Sequence, residues 1–345
     1  MNPARLAIDV KTERLYEEIE AADLSVVENA RHFRINEAAI DDFFPDLPRK
    51  PDNELLDDTI HLADPENKER ILNYLFALEA VNFGGAFSGR LRSEGFYEKG
   101  LGLYETVALR LKKYFGKNEY LPAADMAKLK TEDIAGIFGF DLTKLLSAEY
   151  AEMFTVSMSE LGEFVRDNFE GSFGGLLDAA EGSVENLVST LRQLSKFADT
   201  HPYTLRNGHE IEVPILKRAQ HVAGSIPLAF RRVELEEPFY DLHKLTAFPD
   251  NKISLVMIAE GILESSEKMG HVLENRIPVP ISSEMEVEYR VLGRHIVRLM
   301  SQKTGFMQMD IDHWIWEHSH GNCIKTGRPY IDLPCLTTNN PSFNY

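Results

Sequence analysis

Asp64-Pro65-Glu66-Asn67-Lys68-Glu69-Arg70-Ile71-Leu72-Asn73-Tyr74-Leu75-Phe76-Ala77-Leu78-Glu79 has the pattern of a helix. An acid can cap the free amides of a first turn, and the proline after it lacks an N–H that this turn could not use. Behind them Ile71, Leu72, Leu75, Phe76, Leu78 and Glu79 recur at helical spacing up to Phe83. Tyr104, Val107, Ala108, Leu111 and Phe115 repeat the pattern. Pro122 and Thr131 are predicted to open two short helices and Asp141 a third, and Ser159 and Ser183 to cap helices reaching about Phe169 and Phe197. Further helices are expected at about 214–230, 252–268, 285–302 and 308–318. One stretch departs from this. Tyr203-Thr204-Leu205-Arg206 and His209-Glu210-Ile211-Glu212-Val213 flank Asn207-Gly208, which predicts a small hairpin with a type I′ turn feeding the Lys217 helix. Segments 44–54 and 327–341 are polar or proline-rich and read as irregular. No internal repeat is visible. The fold class that follows is mostly α, a single compact helical unit with one small β-hairpin near 203–213.

Composition narrows the function. Hydrophobic residues make up 43% of 345 residues, enough for a sizeable core. No apolar run approaches the ~18 residues of a membrane helix, so no membrane partner is expected. Met1 to Glu20 mixes charges of both signs, unlike a signal peptide, and two cysteines, Cys323 and Cys335, form no disulfide framework. A reducing, cytoplasmic setting is expected. Formal charge is −18, from 55 acids against 37 bases. Such a chain repels a polyanion at long range, which argues against intact nucleic acid and for a small-molecule nucleotide bound in one local pocket. Oligomeric state is not legible.

Two stretches carry candidates for chemistry. They are Lys217-Arg218-Ala219-Gln220 and Leu245-Thr246-Ala247-Phe248-Pro249-Asp250, a cation and an acid each set among apolar residues. Groups in such surroundings have perturbed ionisation. Asp250 precedes Ile253, Leu255, Val256, Ile258 and Ala259, so it reads first as a helix N-cap, with a catalytic carboxylate as the other reading. The readings are compatible, because a helix N-terminus holds a carboxylate ionised. Lys217 is either a snorkelling surface lysine or an ammonium within reach of Asp250. His313, His318, His320 and Cys323 do not match a common zinc spacing, so no metal is expected. Gly84-Gly85 and Gly174-Gly175 lack the phosphate-loop ending and read as turns, and no nucleophile elbow or dinucleotide fingerprint occurs.

Seven pieces, in order, resemble the queuosine salvage family, helical enzymes that hydrolyse the N-glycosidic bond of queuosine 5'-phosphate and release queuine. They are His61 to Pro65, Val81-Asn82-Phe83, Gly171-Ser172-Phe173, Leu216 to Gln220, Phe248 to Asp250, Glu286 to Arg290, and Asp312 to Glu317. The resemblance implies a fold similar to helical DNA glycosylases, with an N-terminal helical segment over 1–55 and the catalytic unit over 56–345. It implies Asp250 as nucleophile or cation-stabilising carboxylate and Lys217 in the site, with no metal or organic cofactor.

Phe83, Phe87, Tyr104, Trp314 and Trp316 are candidates for aromatic walls against the base. Asp312, Glu317, Glu286 and Glu288 are candidates for hydroxyl recognition, with Glu288 and Arg290 read rather as a structural ion pair. Lys217, Arg218 or the amides around Gly171 to Gly174 are candidates for the phosphate. Two departures stand out: Asn251-Lys252-Ile253 replaces the family's arginine and proline after the acid, and Glu105 replaces a tryptophan after Tyr104. They keep open an N-ribohydrolase for a different modified purine nucleotide, or a nucleotide-binding protein without catalysis.

Overall fold

The computed structural model describes residues 14–43, 59–85 and 88–338. Fifteen α-helices and two antiparallel two-stranded sheets order these residues, so the expected mostly helical class is what is found. The Lys68–Ala80 helix is buried from Ile71 through Ala80, apolar on nearly every face, as suits a helix at the centre of a core. Helices Leu103–Phe115, Leu145–Asn168 and Lys217–Arg232 wrap it. A second apolar cluster surrounds Glu284–Thr304, against which Asn251–Ala259 and Gln308–His318 pack. Ile215 and Ala247 belong to the second cluster, while Leu216, Leu245 and Phe248 belong to the first. Both candidate-bearing stretches therefore run along the seam between the two cores.

Buried charge ties the first helix to this seam. Asp23, on Leu15–Asn29, is fully enclosed and accepts from Arg294 (Nε, 3.0 Å) and Arg298 (Nη2, 3.1 Å). Arg294 also donates to the carbonyls of Pro214 and Ile215, each at 3.0 Å.

Several predicted elements shift. Asp64-Pro65 precedes a turn rather than the helix itself: Asn67 is the cap, accepting from the Arg70 amide, and Asp64 pairs with the Arg70 guanidinium at 2.7 Å. Ser159 lies inside the Leu145–Asn168 helix, and Asp141 caps only its own turn through the Thr143 amide and hydroxyl. Ser183 is a cap as expected, but its helix stops at Leu191. The expected 252–268 helix ends at Ala259. Gly261 follows with φ +67°, and Leu263–Ser265 pairs with Phe33–Ile35 to make the second, unforeseen sheet.

The hairpin Thr200–Thr204/Glu210–Pro214 is present. Only Gly208 (φ +84°) in its loop is left-handed, and Leu205 donates to His209 O. That is a three-residue loop closed by a left-handed glycine, not a type I′ turn. Segment 44–54 lies outside the described residues, and 327–338 contains one short 3-10 turn, Tyr330–Asp332. No helix among the described residues is long and apolar enough to cross a membrane.

Candidate active site

The chain enters the Lys217–Arg232 helix through Leu216, a non-glycine residue held left-handed at φ 55°. Such a conformation costs about 1–2 kcal/mol and must be enforced from outside. Asp199 enforces it. Its main-chain oxygen accepts the amides of Ile215 (2.8 Å) and Leu216 (3.0 Å), and its carboxylate accepts that of Lys217 (3.2 Å). Arg290 grips the same carboxylate with two donors (2.9 and 2.6 Å) and sends Nε to Pro249 O at 3.1 Å. His201 donates to it at 2.7 Å. Burial alone would push the Asp199 carboxyl up, but the Arg290 charge and the His201 hydrogen bond win and hold it far below the usual carboxylate range. One buried ion pair thus positions both the start of the Lys217 helix and the residue before Asp250.

Opposite, the Phe248 amide donates to Asp312 Oδ1 at 2.8 Å. The tip of the Phe248 ring lies against Gly224, where an added Cβ would come within 2.8 Å of Cζ. Asp250 then caps the Asn251–Ala259 helix. Its Oδ1 takes the amides of Lys252 (2.8 Å) and Ile253 (3.3 Å), and its Oδ2 lies 3.8 Å from Lys217 Nζ. Of the two side chains, 7% of Lys217 and 19% of Asp250 is exposed, so the pair is largely withdrawn from water.

Both line a cavity of about 420 Å³. Its walls are Phe83, Tyr104, Phe248 and Trp316, and its polar lining includes Asp312, His221, His313, Glu105, Lys252, His320 and Arg92. Burial lowers the Lys217 ammonium pKa against the pull of Asp250. Burial, then the nearby Asp250 charge, raises Asp312 well above the carboxylate range, which favours a neutral acid able to donate. Burial also drives the His313 imidazole down to about 3, so that ring is neutral.

A family model described as queuosine salvage protein matches residues 60–330. The chain belongs to that family. Among curated proteins it is similar to the queuosine 5'-phosphate N-glycosylase/hydrolase of Dictyostelium discoideum, 25% identical over 306 residues, covering 83% of this chain and 88% of the relative. It is also similar to the protein of the same name from Sphaerobacter thermophilus, 30% identical over 235 residues, covering 67% and 68%.

Within this queuosine salvage chain, the expected site residues divide. Asp250, Lys217, Phe83, Tyr104, Asp312 and Trp316 all line the one cavity. Phe87 lies outside the described residues. Arg218 does not reach the cavity lining. Its guanidinium donates to Ala80 O (2.6 Å) and Ser157 Oγ (3.1 Å), between the rings of Phe83 and Phe197. Glu317 is exposed and off the cavity wall, because helical geometry turns it away from Trp316. Trp314 packs against Phe43 and His318 instead.

Glu288 and Arg290 do not pair with each other: Glu288 accepts the amides of Arg31, His32 and Phe33 and the Tyr203 hydroxyl, while Arg290 serves Asp199. Glu286 accepts from the Ser282 amide, away from the cavity. The amides of Phe173 and Gly174, offered as phosphate donors, are already taken by the Glu69 carboxylate at 2.7 and 2.6 Å.

Sequence reasoning passed over Glu79 and His221. The signal was available: His221 lies four residues after Lys217 and so shares its helix face. Lys252, noticed only as a departure, lines the cavity with Glu105.

Proposed function

We propose that this protein hydrolyses the N-glycosidic bond of queuosine 5'-phosphate and releases queuine, with Asp250 as the carboxylate at the anomeric carbon. The observation that carries the reading is the Lys217–Asp250 pair at 3.8 Å on the wall of an aromatic cavity, in a chain of this family. Asp250 Oδ1 is committed to its helix, so Oδ2 is the oxygen left to face the sugar. As C1′–N bond cleavage develops positive charge on the ribosyl ring, that oxygen stabilises it or bonds to C1′. Lys217 orients the carboxylate. Stacking of the base between aromatic walls excludes water and fixes the leaving group.

With Arg218 and the Gly171–Gly174 amides occupied elsewhere, Lys252 and Arg92 on the cavity wall are the cations that suit the 5'-phosphate. A 420 Å³ hollow in a chain of charge −18 suits one nucleotide in a cytoplasmic pool better than intact nucleic acid.

The test is product analysis with a panel of nucleotides. Wild type should release queuine from queuosine 5'-phosphate, and Asp250→Asn should lose at least about 100-fold of that rate while still binding. Equal rates for the two proteins would remove Asp250 from the chemistry. A second reading, a different base decoration, is motivated by Glu105 and Lys252 on the cavity wall where the family carries other residues. Guanosine 5'-phosphate turning over as fast as queuosine 5'-phosphate would favour it.

A further inference from the structure

A second acid–base pair opens on the same cavity. Glu79, fully enclosed at the end of the Lys68–Ala80 helix, stands with Oε2 3.0 Å from His221 Nδ1. Asn82 donates to the same oxygen (2.8 Å) and Ser225 to the other (3.3 Å). Burial pushes the Glu79 carboxyl up, yet the charge and hydrogen bond of His221, with Asn82, outweigh it, and the group ends below the usual carboxylate range. Glu79 is therefore a fixed, desolvated anion. An isolated buried carboxylate would be costly, and the His221 ring at 3.0 Å, with the Asn82 and Ser225 donors, is what offsets it.

His221 lines the cavity, and no hydrogen bond to its Nε2 occurs among the described residues. Around the ring stand Tyr104, Phe248 and His313, at centroid distances of 6.2, 5.0 and 6.4 Å. Lys217 and Ser225 flank it on its own helix. His313 is neutral, so it does not supply the proton.

We propose that His221, oriented by Glu79, is the general acid that protonates the departing base. This rests on the hydrolysis proposed above. His221 stands one helical turn from Lys217, so their Cβ atoms are about 5–6 Å apart on one helix face, and His221 lines the same cavity as Lys217 and its partner Asp250. The substrate needs such a donor. A 7-deazaguanine carries carbon where purines have the ring nitrogen that is ordinarily protonated to assist departure. As the C1′–N9 bond breaks, its electron pair stays with the base, and the proton of His221 Nε2–H goes to the base nitrogen. Water supplies the hydroxyl to C1′, and its remaining proton restores His221. Glu79 keeps its charge throughout and acts as a positioning residue.

The experiment compares two substrates of unequal need. On queuosine 5'-phosphate His221→Gln should lose about 100-fold or more in kcat. On a nitrophenyl riboside 5'-phosphate, whose phenolate leaves without a proton, the loss should be at least tenfold smaller. Asp250→Asn should lose both activities. Added imidazole should restore nucleotide hydrolysis by His221→Ala, and Glu79→Gln should lower kcat with KM little changed. Equal losses on both substrates, together with no imidazole rescue, would overturn the proposal. If instead wild type cleaves the nitrophenyl substrate but leaves queuosine 5'-phosphate intact, the substrate assignment fails and with it the need for this acid.

Discussion

Arg290→Met removes the clamp behind the site, and the structure gives the size of the effect. The substitution keeps most of the side-chain volume but deletes two donors to Asp199 and one to Pro249 O. The Asp199 carboxylate is left enclosed with only His201 and the Lys217 amide, and breaking a buried pair on one side costs about 3–5 kcal/mol. For a chain of this length that lowers the melting temperature by roughly 4–7 °C. The pH dependence carries the sign. In the wild type the depressed Asp199 group stabilises the fold at pH above about 4 and loses that contribution as pH falls through its folded value. In Arg290→Met burial dominates, the folded value rises above the unfolded one, and the penalty present at neutral pH disappears on acidification. The deficit against wild type should therefore shrink between about pH 7 and about pH 4. Scanning calorimetry across that range is the assay, paired with queuine release. Adding Asp199→Asn should recover at least half of the lost melting temperature but not the rate, because Pro249 O still lacks its donor. A deficit that stays constant with pH, or a double variant melting lower than the single, would refute the buried charge as the cause.

Three further outcomes follow from the site, beside the rate tests of Asp250 and His221. Asp250→Asn keeps the helix cap, because asparagine caps nearly as well as aspartate, but leaves the buried Lys217 without its partner, so it should melt lower than wild type by no more than the roughly 4–7 °C of Arg290→Met; undiminished substrate binding checks that its loss of rate is chemical. Gly224→Ala should cost about 1–3 kcal/mol and slow turnover, because the new methyl meets Phe248 and displaces the segment leading to Asp250; melting and kcat together check it. The lowered pKa of Lys217 places an alkaline limb in the kcat profile below the ordinary lysine value of about 10.4. Deprotonation there removes the partner of Asp250, and Lys217→Met, slower throughout, should lack that limb.

Periodicity made most of the helices legible, because burial of one helical face leaves a local record. Asp250 was legible twice over, as cap and as acid; the structure shows the cap and sets Oδ2 beside Lys217 on the cavity wall, where the proposed chemistry needs it. What escaped depends on partners distant in sequence. The Phe33–Ile35 and Leu263–Ser265 strands are three residues each, too short for alternation to register. Glu69 fills the Gly171–Gly174 loop from 104 residues before Phe173, so a loop that reads as an anion nest is already closed. His221 and Glu79 pair between two helices, and Arg290 finds Asp199 rather than its neighbour Glu288. Ser159 failed for the opposite reason: a good cap residue is also tolerated inside a long helix when tertiary packing continues it.

The Asp23 cluster has a consequence for anyone cutting the gene. The family match begins at residue 60, and a cut there would delete both the acid and the helix that covers Arg294 and Arg298. It would strip two guanidinium groups of their shared carboxylate and open to water the core that Leu15, Ile19 and Val26 now fill. Arg294 would also pull at the carbonyls of Pro214 and Ile215, where the turn into Lys217 begins. The opening helix, though outside the matched span, is thus a keystone of the cleft it never touches.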